Sequence, residues 1–286
     1  MSKESISLRK EKGMFKKFIA GLGIIVLSGL SFVTSATAAQ SQNIILATTT
    51  SVQDTGLLDV LIDAFQKKSG FIVKTIAVGT GQALAMGRLG EADILWVHSP
   101  IDEKKFVDEG YGINRTTFMH NDFVILGPKN DPAKVMDAKS AAEAFKKIAA
   151  SRAFFVSRGD NSGTHKKEKL IWKEAGMSPD KNSYIEVGQG MAQTVAVANE
   201  KQGYVLADRS TYLSLKNSID LIIIFEGDSS LINYYSLIRV NPEKFPKVNV
   251  QGAKALFNFL ISKDSKEIID NFGKEKFGRQ LFFWDL

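Results

Sequence analysis

The sequence predicts an α/β protein of two lobes on either side of a hinged cleft. Three observations carry that prediction. Short apolar, β-branched runs alternate with helix-like segments, which is the rhythm of parallel βαβ units. The alternation restarts after residue 127. Four of the strand-to-helix turns share one composition, rich in hydroxyl residues and glycine.

Taken in order, residues 43–47 (NIILA) read as a strand, 57–65 (LLDVLIDAF) as a helix, and 71–77 (FIVKTIA) and 92–97 (ADILWV) as strands. Residues 122–127 (DFVILG) form a further strand, and GPKNDP punctuates the chain after it. The second series comprises a helix at 141–150, a strand at 153–156 (AFFV), helices at 166–175 and 191–200, and a strand at 204–207. Strands at 221–225 (LIIIF) and 234–240 (YYSLIRV) precede helices at 253–261 and 266–272. The expected organisation is a targeting segment at 1–39, lobe I at 40–121, lobe II at 122–233, and a return to lobe I at 234–286. Two crossings, near 121–126 and 234–240, make a hinge where one would make only a tether. The two lobes share an architecture without an exact sequence repeat.

Lys16 and Lys17 precede an apolar run at 18–33 and the small residues TSATAA, the pattern of a secretory signal peptide cut near Ala38 or Ala39. Met14 would start a signal of more ordinary length than Met1 does. The formal charge of the whole chain is +6; residues 1–39 hold six bases and two acids, so about 247 residues remain with 31 bases, 29 acids and a net charge of +2. The basic balance is thus a targeting feature and gives no nucleic-acid footprint. The chain has no cysteine, which excludes disulfides, thiolate metal sites, a cysteine nucleophile and a lipid-anchored cysteine. The expected product is a monomer free in the periplasm, without a cofactor or a resident metal.

In an open α/β sheet, ligands bind beyond the carboxyl ends of the strands. The four loops there are 48–51 (TTTS), 78–81 (VGTG), 157–165 (SRGDNSGTH) and 187–191 (VGQGM), two in each expected lobe. A helix start offers unpaired N–H groups and a partial positive charge, glycine allows close backbone approach, and arginine supplies a charged fork of donors. Ser and Thr are also ordinary helix caps, so each loop alone has a structural reading. Together they describe donors converging on a small anion from both lobes, with Asp160 orienting Arg158. Closure would strip water and strengthen charge-assisted bonds.

Other chemistries fit less well. GDNSGT around Ser162 superficially matches a serine-protease nucleophile loop, but the histidines are only His98, His120 and His165, and His165 falls on the same helix. His165 reads as a helix-start donor or surface residue. His98, with Ser99, reads as cleft rim or as a packed histidine. The histidine spacing does not make a metal site. GTGQALAMG lacks the third glycine of a dinucleotide fingerprint. Asp208 and Arg209 read as a structural pair, and Tyr234 and Tyr235 as packing.

Taken together, TTTS (48–51), VGTGQAL (78–84), GEADILWVHSP (90–100), MHNDFVILGP (119–128) and SRGDNSGTHKKE (157–168) resemble the tungstate-binding periplasmic proteins of ABC importers. The resemblance implies a type II periplasmic binding fold, tungstate or molybdate as ligand, and an inner-membrane permease with its ATPase as partners. It also implies that the TTTS loop donates to the oxyanion and that Arg158 favours tungstate over molybdate. The expected oxyanion site is Thr49, Thr50, Ser51, Thr80, Ser99, Arg158, Ser162, Gly163 and Thr164, with Asp160 behind Arg158. The RGDNSGT core is also similar to the RxDxSGT stretch of phosphate-binding proteins, so a phosphate or sulfate cargo is the alternative, with a secreted serine hydrolase using Ser162 as a remote third. Monohydrogen phosphate needs a carboxylate acceptor, whereas tungstate and sulfate want donors only. Asp160 is committed to Arg158 and Asp54 lies inside the first helix, which favours the donor-only cargo.

Overall fold

The structure is a computed structural model that describes residues 42–286; the signal-peptide reading therefore falls outside the described residues. Strand β1 (Asn43–Thr49) leads to α1 (Thr50–Thr55) and α2 (Leu57–Ser69), then β2 (Ile72–Val78), α3 (Thr80–Leu89), β3 (Ile94–Val97) and α4 (Pro100–Asp108). A long strand, β4 (Gly112–Gly127), carries the chain onward to α5 (Ala141–Ser151), β5 (Phe155–Ser157), α6 (Gly163–Glu174), β6 (Tyr184–Glu186), α7 (Met191–Lys201), β7 (Val205–Asp208), α8 (Arg209–Leu215) and β8 (Ile222–Phe225). The chain closes with β9 (Ile232–Val240), α9 (Val250–Leu260), α10 (Lys263–Asn271), α11 (Lys274–Phe277) and β10 (Phe283–Trp284).

The first lobe is built on the order β2-β1-β3-β9-β4-β10. Strand β1 is parallel to β2 and β3, and β9 then pairs antiparallel with both β3 and β4. Residues 44 and 46–49 of β1 are buried, as a central strand covered on both faces requires. One face packs on α2, α9 and α10 through Ile44, Leu61, Phe65, Trp96, Leu256 and Ile269. The other packs on α3 and α4 through Ala83, Leu84, Leu95 and Phe106. The last helices therefore serve the first lobe although they come from the far end of the chain.

In the second lobe the carboxyl half of β4 pairs with β7 and β8, while β5 pairs with β6 and touches Tyr204 just ahead of β7. Helices α5 and α6 cover one face through Phe145, Ile171 and Trp172 against Phe155, and α7 covers the other through Met191 and Val195. The sequence reading places a strand only over the carboxyl half of β4. In fact β4 begins at Gly112 and runs through both lobes, with register shifts where the pairing with β9 and β8 is interrupted. A bulged strand bends, which lets one strand serve two sheets. The chain comes back from the second lobe at Ile232, which lies opposite Asp122.

Candidate functional site

The strand-to-helix turns meet at a cavity of about 740 Å³ between the two lobes, within the size range of small-molecule sites. Lobe I contributes Thr50 and Asp54 from α1, residues 77–79 from the end of β2 and the turn after it, and residues 81 and 82 from the first turn of α3. Lobe II contributes Arg158, Asp160 and Asn161 ahead of α6, and residues 188–190 ahead of α7. All four loops singled out in the sequence thus reach one cavity. Helices α3 and α7 are capped by Gly79 and Gly190, which have no side chain to bind the first N–H groups, so two positive helix ends face the cavity wall.

The loop before α6 is shaped by its own hydrogen bonds. The Arg158 guanidinium donates to Asp160 Oδ2 at 2.5 Å, Asp160 Oδ1 accepts from Ser162 N–H at 3.0 Å, and Ser162 Oγ caps the helix by accepting from His165 N–H at 3.3 Å. Burial pushes the Asp160 carboxyl up, but bonds from Ser162 and the Arg158 charge together hold it below its ordinary value. Gly159 and Asn161 sit at φ +63° and +57°. A Cβ at Gly159 would lie 2.7 Å from Glu186 Cβ, so the turn needs glycine twice over. Helix α6 starts at Gly163, three residues before the sequence reading, because Ser162 rather than the lysine pair begins it.

His165 is not a surface residue; its backbone N–H is a helix-start donor, to Ser162 Oγ, but its imidazole is not. It is buried, and its Nδ1 accepts from Asn161 N–H at 3.0 Å, which holds the left-handed Asn161 in place. Burial, with Lys169 nearby, lowers its pKa and keeps it neutral. Ser162 Oγ serves as a cap acceptor and His165 Nδ1 is already engaged, so the pair has no nucleophile-base geometry. His98 is likewise buried and neutral. Burial pushes its pKa down to about 4 against a bond to Asn233 Oδ1 at 2.9 Å, and Asn233 in turn donates to Asn121 and to Tyr235 Oη. Arg209 pairs with Asp122 and Glu226, while Asp208 caps α8 through Thr211 N–H.

The structure places the expected site residues differently from one another. Thr50 and Arg158, with Asp160 behind, line the cavity directly. Thr80 Oγ1, Thr164 Oγ1 and Arg158 Nε are buried and have no hydrogen-bond partner among the described residues, an expensive condition for polar atoms. Gly163 lies against the His98 ring, where a Cβ would come within 2.1 Å of Cε1. Thr49 is buried at the end of β1, and Ser51 lies in the first turn of α1. Ser99 is placed elsewhere: its hydroxyl donates to Asp102 at 2.6 Å and its N–H to Glu103 at 2.5 Å, and it lines a separate groove beside α4 and α6. Gln82, Asn161 and Gln189 were not anticipated as lining residues. The sequence reading places Asp54 inside a helix and away from the ligand, whereas in the structure it lines the cavity. The missed signal was spacing: Thr50 and Asp54 are i and i+4 on one helix face, so a helix that presents the first presents the second.

The sequence model of the PBP superfamily domain matches residues 34–264. The chain is 48% identical over 242 residues to the tungstate-binding protein TupA of Peptoclostridium acidaminophilum, covering 84% of this chain and 85% of that one. The chain belongs to the TupA-like periplasmic binding proteins. Among solved structures, TupA from Desulfovibrio alaskensis G20 aligns with a TM-score of 0.75 at 46% identity, over 85% of this chain and 98% of that one. The tungstate ABC transporter structure from Geobacter sulfurreducens aligns with a TM-score of 0.73 at 48% identity, over 80% and 98%. Membership of the TupA-like family accords with the two lobes and with ligand-facing loops at the carboxyl ends of strands.

Proposed function

We propose that this chain captures tungstate in the periplasm and delivers it, as a monomer, to an inner-membrane ABC permease and its ATPase. The observation that carries the reading is the convergence of four strand-to-helix loops, with the Arg158 guanidinium among them, on one interlobe cavity. Support comes from relatives named for tungstate that match over most of their length. Uncapped helix starts and a charged arginine suit a dianion that only accepts hydrogen bonds. Thr49, Thr50, Ser51, Thr80, Arg158, Ser162, Gly163 and Thr164 are the proposed anion-binding set, with Arg158 separating tungstate from molybdate. The buried, unpartnered oxygens of Thr80 and Thr164 favour their inclusion. Nothing in the arrangement calls for turnover, so the role is binding and handover.

Calorimetric titration with tungstate, molybdate, sulfate and phosphate tests this. Tight tungstate binding with weaker or absent phosphate binding is expected; tight phosphate binding without a tungstate response overturns the proposal.

A further inference from the structure

The cavity that suits an anion also carries a carboxylate with nothing to hold it. Asp54 lines the cavity from α1 together with Arg158; it is exposed to the solvent of the open cleft, and its side chain has no hydrogen-bond or ion-pair partner among the described residues. Asp160, the other carboxylate there, is neutralised by Arg158 and by the Ser162 N–H. A dianion entering this cavity comes close to a negative charge that no hydrogen bond or ion pair neutralises and that Arg158, already paired with Asp160, offsets only in part, and the repulsion is relieved if that carboxylate takes a proton.

We propose that Asp54 couples oxyanion binding to proton uptake, so that the cleft takes up one proton with a fully deprotonated anion. This rests on the anion-cargo reading given above. The proton goes to a carboxylate oxygen of Asp54 and comes from solvent; no other bond changes. The protonated group then becomes a donor toward the anion instead of a repelling charge. An anion that carries its own proton, such as monohydrogen phosphate, needs no such uptake, because ionised Asp54 can accept from it.

The surroundings point the same way. Helix α1 packs against α8, which brings Asp208 and Arg209, and Arg209 is already held by Asp122 and Glu226. On the lobe I side, α2 carries Asp59, which accepts from Gln53, β2 carries the exposed Lys74, and β1 carries no charge. Partial desolvation by the cleft walls raises the pKa of the otherwise exposed Asp54, Asp208 raises it further, and Arg158 opposes them. A bound dianion adds a second negative neighbour and raises it again. The sign follows: below the pKa of the empty cleft Asp54 is already protonated and affinity is independent of pH. Between the empty and bound values affinity falls as pH rises, by up to about tenfold per unit.

The test is calorimetric titration of the whole protein with tungstate at pH 7 and pH 8, each in two buffers of different ionisation enthalpy, for the wild type and for Asp54→Asn. The expected result is proton uptake approaching one per anion and weaker binding at the higher pH in the wild type, with both effects abolished in Asp54→Asn while tungstate still binds. Tungstate binding without proton uptake in the wild type overturns this inference alone, as does unchanged uptake in Asp54→Asn. Absence of tungstate binding by both proteins overturns the cargo reading and this inference with it.

Discussion

Replacing Arg158 by Lys exchanges a planar fork, already braced by Asp160, for a mobile point charge. The expected outcome is that tungstate still binds, more weakly, while its preference over molybdate shrinks; an unchanged ratio of the two dissociation constants would remove Arg158 from the role of discriminator. Glu168 offers a test of a different kind. It is buried beneath the same loop and accepts from Ser157 Oγ, Tyr184 Oη and Trp172 Nε1. Burial pushes its pKa up from 4.5 to about 7 despite those donors. An acid with a raised folded-state pKa contributes stability that is full below pH 4.5 and is lost as pH rises to about 7. The loss is on the order of 3 kcal/mol at most. Denaturant unfolding of the wild type between pH 4.5 and 8 should show that slope, and Glu168→Gln should flatten it; parallel profiles would show that Glu168 does not titrate in this range. Arg158, Ser162 and Thr164 stand out in the sequence because their motif names them. Asp54 does not, since its i, i+4 spacing from Thr50 points to the site only once Thr50 is placed on a helix face that meets the cavity.

At the level of single elements, α6 shows how a loop motif becomes a wall. Ser162→Ala removes the cap oxygen that takes His165 N–H and should cost about 1 kcal/mol, seen as a fall in Tm of about 2–4 °C. Gly163→Ala tests something else. Its Cβ would overlap the His98 ring, and His98 belongs to lobe I whereas Gly163 opens the first turn of α6 in lobe II. The overlap is relieved by separating the lobes, so the folded state should survive with little change in Tm. Tungstate affinity should fall about tenfold or more, about 1.4 kcal/mol. A variant with wild-type affinity would mean that the contact is not part of closure. Helix and strand identities were legible for most of the chain because periodicity is local. The exceptions include α4, which the sequence reading leaves unassigned; the short elements α8, α11 and β10, too brief to show a period; and β4, whose length reflects two sheets claiming one strand.

For the molecule as a whole, function depends on how the lobes meet. Across the cleft, Lys166 of α6 donates to Asp102 of α4 at 2.5 Å, and Ser99 donates to the same carboxylate. Burial pushes the Asp102 carboxyl up, but Lys166 and Ser99 outweigh it and hold the group below its ordinary value. The pair is about one-third exposed, so water and salt screen it. Asp102→Asn should therefore speed tungstate release by no more than about fivefold, with the difference shrinking in high salt. Stopped-flow release measured at low and high salt checks this; an equal rate in both proteins at low salt would show that the pair does not help hold the lobes together.

By itself the sequence determined the alternation of strands and helices, the four donor-rich loops and the family resemblance, because each is written in residues close together along the chain. The tertiary structure decided which loops share a cavity, that Ser99 turns away to α4, that His165 is a buried acceptor, and that Asp54 confronts Arg158. The shared cavity joins residues a hundred or more positions apart, such as Thr50 and Arg158, which no local pattern encodes; the Ser99 and His165 bonds span only three or four residues, but which way those side chains turn was decided by the packing that buries them.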